Sequence, residues 1–274
     1  MMISVIMVDG GFRERYHAID AFTSQTLGPD HYEMLWVEHF SSVSSALLEK
    51  VDVAPNARVI QLGRVDEYHA SRCFNVGIRE AKGEVIVIPD ADVMVERDFL
   101  DVLWRDHQEN HHRVQYFYRF DEPKSASSGA ADLKHLKAVC ELRNATNFGG
   151  CLSVRKKWLE EINGYDEHPV FGGHFHANAY DVNTRLKALG LDVRWSPDRM
   201  LYHPYHPFTA VSSSNYQTQH RVIEHRATRR VTLPGEGLVS TKNLAIPDEV
   251  LSDAGQPSRW ARLRRKMRSL TSRG

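Results

Sequence analysis

Two short motifs carry side chains suited to binding a divalent metal. DAD at 90–92 directly follows an apolar run, and HPYH at 203–206 follows a second predicted strand. Carboxylate oxygens are hard ligands for Mg²⁺ or Mn²⁺, and imidazole nitrogen beside them favours Mn²⁺. We therefore predict a metal site that combines Asp92 with His203 and His206. Taken singly, each motif has an ordinary alternative, a solvated turn for the aspartates and a surface or packing pair for the histidines.

The elements that must position these motifs alternate between strands and helices. Helical stretches separate continuous apolar segments, which we predict to be strands at 2–8, 32–40, 57–63 and 84–89. This alternation is typical of an α/β protein with a parallel sheet that is covered on both faces. Ligands bind at the carboxyl ends of the strands in such sheets, which is where Asp90 and Asp92 are expected.

The second half of the chain differs from the first in composition and in the order of its predicted elements. A strand at 114–120 leads into a polar, Ser/Ala-rich segment, 121–147, in which we expect one short helix around 131–142. A Gly-flanked strand and helix follow. A Gly/His-rich loop then precedes a helix that is predicted to begin near Asp181, and a last strand leads to His203.

Composition excludes several classes of protein. The 274 residues carry 35 basic and 35 acidic side chains, and a formal charge of zero argues against a nucleic-acid binder. The three cysteines are scattered, which predicts neither a disulfide framework nor a zinc ribbon and favours a reducing, cytoplasmic location. The N-terminus lacks the basic region of a signal peptide, and no stretch of about 18 apolar residues predicts a membrane span.

The C-terminal segment 258–274 has a different character. It places Trp260, Leu263, Met267 and Leu270 at helical spacing among many arginines. We predict a basic amphipathic helix that contacts an anionic membrane surface at the inner face of the membrane. The alternative is a solvated terminal helix or a packing arm.

Several segments resemble GT-A glycosyltransferases, most closely glycosyltransferase family 2, in order along roughly 2–206. SRCFNVGIREAKGEVIVIPDADV is similar to the family's ARNxGIxxAxGEYIxFLDxDD, and MLWVEHFSS takes the place of its VDDGS. FGGCLSVRKKWLEEINGYDE resembles its Gly-Gly strand, helix and GGFDE turn, and AYDVNTRLKALG resembles EDxDLxxRLxxxG. The resemblance implies a Rossmann-like GT-A fold with a central, mostly parallel sheet.

The resemblance also implies a domain plan. One GT-A catalytic domain would occupy 1–210, followed by an extension at 211–257 and the basic helix. Within the catalytic domain, 1–100 would bind the nucleotide-sugar and 101–210 the acceptor.

Roles for individual residues follow from the same resemblance. Asp92 would hold the metal, Mn²⁺ or Mg²⁺, with His203 completing the coordination and His206 as the rival candidate. Asp181 would be the general base, with a simple helix cap as the alternative role. The residues implied to bind the nucleotide are Val8, Asp9, Glu38, Arg72, Asp90 and Ala91. Those implied to bind the acceptor are Gly149, Gly150, His174 and Tyr180.

Three departures from the family's pattern accompany these roles. Val8-Asp9-Gly10-Gly11 replaces the usual Pro-x-Tyr-Asn, and Glu38 stands where an aspartate normally binds uracil. The acidic pair is matched by Tyr180-Asp181, so that one carboxylate is missing.

The predicted function is metal-dependent transfer of a sugar from a nucleotide-sugar, a UDP-sugar by preference, to a hydroxyl of a glycan or lipid-linked acceptor, with inversion. A retaining GT-A enzyme is one alternative. A metal-dependent hydrolase built from Asp90, His174, His176 and His203 is another, and a non-catalytic nucleotide-sugar-binding subunit is the third.

Overall fold

The computed structural model describes residues 1–173, 177–207, 215–227 and 246–252. Eight strands form one sheet: β1 (Ile3–Asp9), β2 (Tyr32–Phe40), β3 (Ala57–Arg64), β4 (Val85–Pro89), β5 (Arg113–Asp121), β6 (Glu141–Asn144), β7 (Cys151–Arg155) and β8 (Asp192–His203). The helices in the described part are α1 (His17–Thr23), α2 (Ser45–Asp52), α3 (Ala70–Glu80), α4 (Phe99–Glu109), α5 (Leu133–Val139), α6 (Lys156–Glu161), α7 (Asn178–Ala188), α8 (Tyr216–Arg226) and α9 (Asp248–Ser252). Short 3₁₀ turns lie at Lys124–Ala126 and Pro169–Phe171.

The sheet combines a parallel half with a mixed half. Its strands follow the order β3-β2-β1-β4-β7-β5-β6, and β8 pairs with β5. The pairs of β1 with β2 and β4, of β2 with β3 and of β5 with β8 are parallel, whereas β7 runs antiparallel to β4 and β5. The prediction of an α/β fold with a central, mostly parallel sheet is confirmed. Because β7 reverses direction between them, β4 and β5 point the same way and end at the same edge.

Alternation along the buried strands divides the core between the two faces of the sheet. Ile3, Val5 and Met7 of β1 belong to one cluster, with side chains of α1, α2 and α4. Ile6 and Val8 belong to the other, with side chains of α3, α6 and α7. Both faces are therefore covered, as the continuous apolar strands predicted.

The second half contains two differences from expectation. The segment 121–147 holds a 3₁₀ turn, a helix shorter than predicted and the strand β6. Helix α7 begins at Asn178 with Ala177 as its cap, so the alternative role of Asp181 as the capping residue is wrong.

No helix among the described residues is long and apolar enough to cross a membrane. The predicted basic helix at 258–274 lies outside the described residues.

Helix α8 joins the predicted extension to the predicted acceptor half. Val222 and Ile223 pack against Val170, Phe171 and Ala177. The side chain of Gln219 is fully buried; its oxygen accepts a hydrogen bond from the Ala177 backbone at 2.7 Å, and its nitrogen donates to the Val170 carbonyl at 2.7 Å. Helix α8 is therefore part of the folded body and holds both sides of the loop that precedes α7.

Candidate functional site

Strand ends bring the predicted nucleotide and metal residues to one edge of the sheet. Asp9 ends β1 and lies in register with Glu38 on β2. Asp90 directly follows β4. Asp121 ends β5 in register with His203, the last residue of β8. All five are at carboxyl ends of parallel strands, where ligands of such sheets bind.

Asp92, His203 and His206 form a compact group of metal-ligand atoms. One ligand atom from each lies within 4.8 Å of the others. Nε2 of His203 is 3.5 Å from Oδ1 of Asp92, and Nε2 of His206 is 3.6 Å from Oδ2. The two Nε2 atoms are 3.1 Å apart. The structure thus brings together the three residues predicted as metal ligands.

The hydrogen bonds of the two imidazole rings favour the tautomers that bind metals. Nδ1–H of His203 donates to Asp121 at 3.0 Å, and Nδ1–H of His206 donates to the Pro207 carbonyl at 3.1 Å. When both rings are neutral, each Nε2 lone pair faces Asp92. A carboxylate that holds the far nitrogen of a ligating histidine is a common support of metal sites. This donor set fits a divalent cation such as Mn²⁺.

The same geometry attracts a proton when no metal is bound. Burial alone would lower the pKa of His203, but hydrogen bonds to Asp121 and Asp92 outweigh it and raise the pKa to about 9. Burial works to raise the pKa of Asp92, yet Arg13 and His203 hold it well below its usual range. A metal at this place would displace the second proton of His203, because it needs the Nε2 lone pair.

Asp121 was not among the predicted site residues, and its role can be tested. We expect Asp121→Asn to weaken Mn²⁺ binding about 10- to 100-fold, because the neutral amide supports the His203 ring less strongly. Titration of the protein with Mn²⁺, followed by the electron paramagnetic resonance signal of the free ion, measures the change. Asp192→Asn, at the opposite end of β8, is the matched control and should bind Mn²⁺ like the unaltered protein. Equal affinity of all three proteins would remove Asp121 from the site.

The predicted nucleotide side is strongly acidic. Asp9 is 1% exposed and Glu38 is 2% exposed. Asp9 accepts hydrogen bonds from the backbone N–H groups of Phe12 and Arg13, which fold the loop after β1 around it. Burial, reinforced by the charge of Asp9, raises the pKa of Glu38 to about 7. Glu38 is therefore half protonated near neutral pH, with an O–H available to donate.

The raised pKa of Glu38 makes stability depend on pH. Between its ordinary value of 4.5 and about 7, the folded chain holds a proton that the unfolded chain has released. Stability must then fall as the pH rises through this window. We expect Glu38→Gln to raise the melting temperature at pH 8 and to change it much less at pH 4.5. Melting curves at the two pH values measure this, and an equal shift at both would show that the charge of Glu38 is not the cause.

Two arginines that the sequence did not single out balance these acids. Arg13 contacts Asp9 at 3.0 Å and Asp92 at 3.3 Å. Arg119 contacts Asp90 at 2.7 Å and Asp121 at 3.1 Å. Burial nevertheless keeps the pKa of Asp90 raised. For Arg119 and Asp121, the sequence contains one clue to a role in the site. They lie two residues apart at the end of a predicted strand, where other predicted site residues also lie.

The remaining predicted nucleotide residues occupy different surroundings. Val8 and Ala91 are buried, so each would meet a ligand through its backbone. Arg72 on α3 pairs with Asp66 at 2.5 Å. Asp66 also lies 3.7 Å from Nε2 of the buried His39. Arg72 therefore already has an acidic partner beside the end of β2.

The predicted acceptor residues meet the site through backbone and aromatic contacts. The Gly150 carbonyl accepts a hydrogen bond from the Asp90 backbone at 2.8 Å. Next to Gly149, the ring of Phe148 stacks on Tyr180 with centroids 5.3 Å apart. Gly150 is therefore in direct contact with Asp90, and Tyr180 is linked to the same segment through Phe148. His174 lies outside the described residues.

Asp181, the predicted general base, is a member of a buried ion-pair network. Its side chain is 1% exposed; Oδ2 accepts from Arg185 at 2.9 Å and Oδ1 accepts from Arg226 of α8 at 2.7 Å. Arg226 also contacts Asp166 at 2.6 Å. Burial favours the protonated acid, but the two arginines outweigh it and lower the pKa of Asp181. A carboxylate with both oxygens occupied and a lowered pKa is poorly suited to accept a proton from an acceptor.

The helix also corrects how the family's pattern fits this segment. Counted back from Arg185 and Gly190, EDxDLxxRLxxxG places Asp181 at its last acid, four residues before the arginine. Its first two acids then fall on Asn178 and Ala179 instead of Tyr180-Asp181. Asp181 and Arg185 lie one turn apart on α7 and form a buried ion pair, which supports this alignment because it keeps the acid and the arginine four residues apart.

Substitution of Asp181 separates a structural role from a catalytic one. We expect Asp181→Asn to lower the free energy of unfolding by about 3 kcal/mol, because it leaves buried arginine charge without its counterion. Asp20→Asn, which breaks the exposed pair with Lys50, is the control and should cost less than about 1 kcal/mol. Urea denaturation measures both. If Asp181→Asn kept its stability and lost only turnover, Asp181 would be the base after all.

Several solved structures are similar in fold to this chain. TarS 1–349 of S. aureus is 17% identical, with a TM-score of 0.61 over 82% of this chain and 65% of that one. GalNAc-T7, solved with UDP, GalNAc and Mn²⁺, is 14% identical, with a TM-score of 0.62 over 82% of this chain and 47% of that one. The Pyrobaculum calidifontis mannosyltransferase PcManGT, solved with GDP-Man and Mn²⁺, is 14% identical, with a TM-score of 0.55 over 82% and 62%.

The chain spans less than two thirds of the length of these structures. No protein-family model matches it, and no curated protein matches it. At these identities the likeness is one of fold. The order of strands, the acidic carboxyl edge and these structural relatives together identify the fold of this chain as the GT-A glycosyltransferase fold.

Proposed function

We propose that this protein is a metal-dependent glycosyltransferase that moves a sugar from a nucleotide-sugar, preferably a UDP-sugar, to a hydroxyl of a glycan or lipid-linked acceptor. The observation that carries the proposal is the cluster of Asp92, His203 and His206, supported by Asp121, at the ligand-binding edge of a GT-A fold. The structural relatives support it further, because TarS 1–349 was also solved with UDP-GlcNAc.

The residues divide the work of such a reaction. Asp92, His203 and His206 would hold Mn²⁺, which when bound neutralises charge on a departing diphosphate. Asp9 and Glu38 line the neighbouring strand ends, where a nucleoside would bind. Transfer breaks the bond from the anomeric carbon to a diphosphate oxygen, which keeps the electron pair, and the acceptor oxygen forms the new bond as it loses its proton.

The stereochemical outcome depends on the face of the anomeric carbon that the acceptor oxygen attacks. Inversion, the outcome predicted from the sequence, needs a base that faces the acceptor, and Asp181 is held by Arg185 and Arg226. The same contacts favour the retaining alternative, which needs no carboxylate at that place. The hydrolase alternative receives less support, because Asp90 is paired with Arg119. Of its other predicted residues, His203 contacts Asp92 and Asp121, and His174 and His176 lie outside the described part of the chain.

Acceptor, membrane contact and location stay predictions. The aromatic rings of Phe148 and Tyr180, which stack close to Gly149, are surfaces of the kind that suits the face of a sugar ring. A lipid-linked acceptor would agree with the predicted membrane contact of 258–274 and a cytoplasmic, peripheral location. Polysaccharide biosynthesis is the process that this combination suggests.

The proposal is tested by ligand-dependent thermal stability. We expect UDP and UDP-sugars to stabilise the protein only with Mn²⁺, by about 2.7 kcal/mol at a hundred times the Kd. Asp92→Ala should abolish this stabilisation because it removes the carboxylate shared by both histidines. Asp198→Ala, an exposed acid on β8, is the control and should respond like the unaltered protein.

Two results would count against the proposal. If no nucleotide stabilises the unaltered protein with Mn²⁺ or Mg²⁺ present, donor binding is absent and the hydrolase becomes the next hypothesis to assay. If Asp92→Ala keeps the full metal-dependent shift, the metal binds elsewhere. Product formation from the stabilising nucleotide-sugar then separates an enzyme from a binding subunit.

A further inference from the structure

Arg13 occupies the place between the predicted nucleoside side and the predicted metal side. It lies in the loop after β1, where NH1 contacts Asp9 at 3.0 Å and donates to the Val8 carbonyl at 3.5 Å. NH2 lies 3.3 Å from Oδ2 of Asp92. One guanidinium thus spans the two groups of acids that a nucleoside and a metal would use. A diphosphate likewise lies between the nucleoside and the sugar of a nucleotide-sugar.

The guanidinium retains hydrogen-bonding capacity. Its Nε is buried and has no hydrogen-bond partner among the described residues. A buried donor without an acceptor is costly, and a ligand that supplies an acceptor recovers that cost. Arginine presents its N–H groups as a planar fork that matches the oxygens of a phosphate group. A diphosphate is therefore a suitable partner for this guanidinium.

Arg13 and a metal would compete for the same carboxylate. Oδ2 of Asp92 lies near both Arg13 NH2 and His206 Nε2. A divalent cation on Asp92 would face the positive charge of Arg13 at short range, which weakens metal binding. An anion placed between the two cations removes this repulsion and is attracted by both.

We propose that Arg13 binds the diphosphate of the donor and gives up its contact with Asp92 to the metal when the donor binds. The inference rests on the proposed function, since it assumes a nucleoside diphosphate at this edge. It assigns Arg13 to the ligand-binding residues. It also makes binding of the metal and binding of the nucleotide mutually strengthening, because the anion removes the repulsion between the metal and Arg13. Each ligand then raises the affinity for the other by the same factor.

The test uses Arg13→Met in the full chain, with UDP and Mn²⁺ as probes in titration calorimetry. We expect the affinity for UDP at saturating Mn²⁺ to fall about tenfold or more, because charge-assisted hydrogen bonds are lost. In the absence of UDP, the affinity for Mn²⁺ should stay equal or rise, because a competing cation has been removed from Asp92. A residue that only supports the loop would lower both affinities together.

Two further variants control the experiment. Arg15→Met removes the same charge from an exposed position in the same loop and should change neither affinity by more than about twofold, as expected for a screened surface charge. Arg13→Lys keeps the charge without the planar fork and should restore part of the UDP affinity. It also serves if Arg13→Met fails to fold.

The outcomes separate the inference from the function on which it rests. UDP binding by the unaltered protein together with equal UDP binding by Arg13→Met overturns the role of Arg13 and leaves the proposed function intact. A parallel loss of UDP and Mn²⁺ affinity in both Arg13 variants also overturns it. Failure of the unaltered protein to bind UDP with Mn²⁺ overturns both.

Discussion

Repulsion among carboxylates at one edge of the sheet is the constraint that organises this site. Parallel strands deliver Asp9, Glu38, Asp90 and Asp121 to the same edge, and the turn after β4 adds Asp92. Like charges this close cannot all remain ionised without cations among them. Arg13, Arg119 and His203 supply that charge, each in contact with acids from different segments. Burial acts first on the shifted pKa values of this edge, and the neighbouring charges and hydrogen bonds then raise or lower them.

A second network of buried polar side chains links α8 to α7. Arg226 of α8 joins Asp166 to Asp181, and Gln219 holds the backbone on both sides of the loop before α7. Buried polar groups without partners would lower the free energy of unfolding. Each of these groups therefore depends on the packing of α8, which comes from a distant part of the chain. The packing around α7 is therefore complete only with a helix that follows residue 210.

The sequence predicted the elements well where a local pattern decided them. Continuous apolar runs predicted β1, β2, β3 and β4. Asp92 and His203 were predicted as site residues because their motifs follow predicted strands. The contacts of Arg13 with Asp92 and of Arg226 with Asp181 were not predictable, because loops and helices far apart in the chain create them. A spaced acidic pattern can be aligned in more than one register, and the burial of Asp181 within α7 distinguishes the registers.

The balance of charge at the edge also bears on how a donor would bind. Several carboxylates line this edge, so a nucleoside diphosphate that arrived alone would meet their repulsion. The two arginines are already paired with these acids, and an approaching phosphate must compete for them. A divalent cation on Asp92 and the histidines reverses the local sign and frees Arg13 from one of its acidic partners. Metal and diphosphate are therefore expected to bind as one electrostatic unit, in which neither binds tightly without the other.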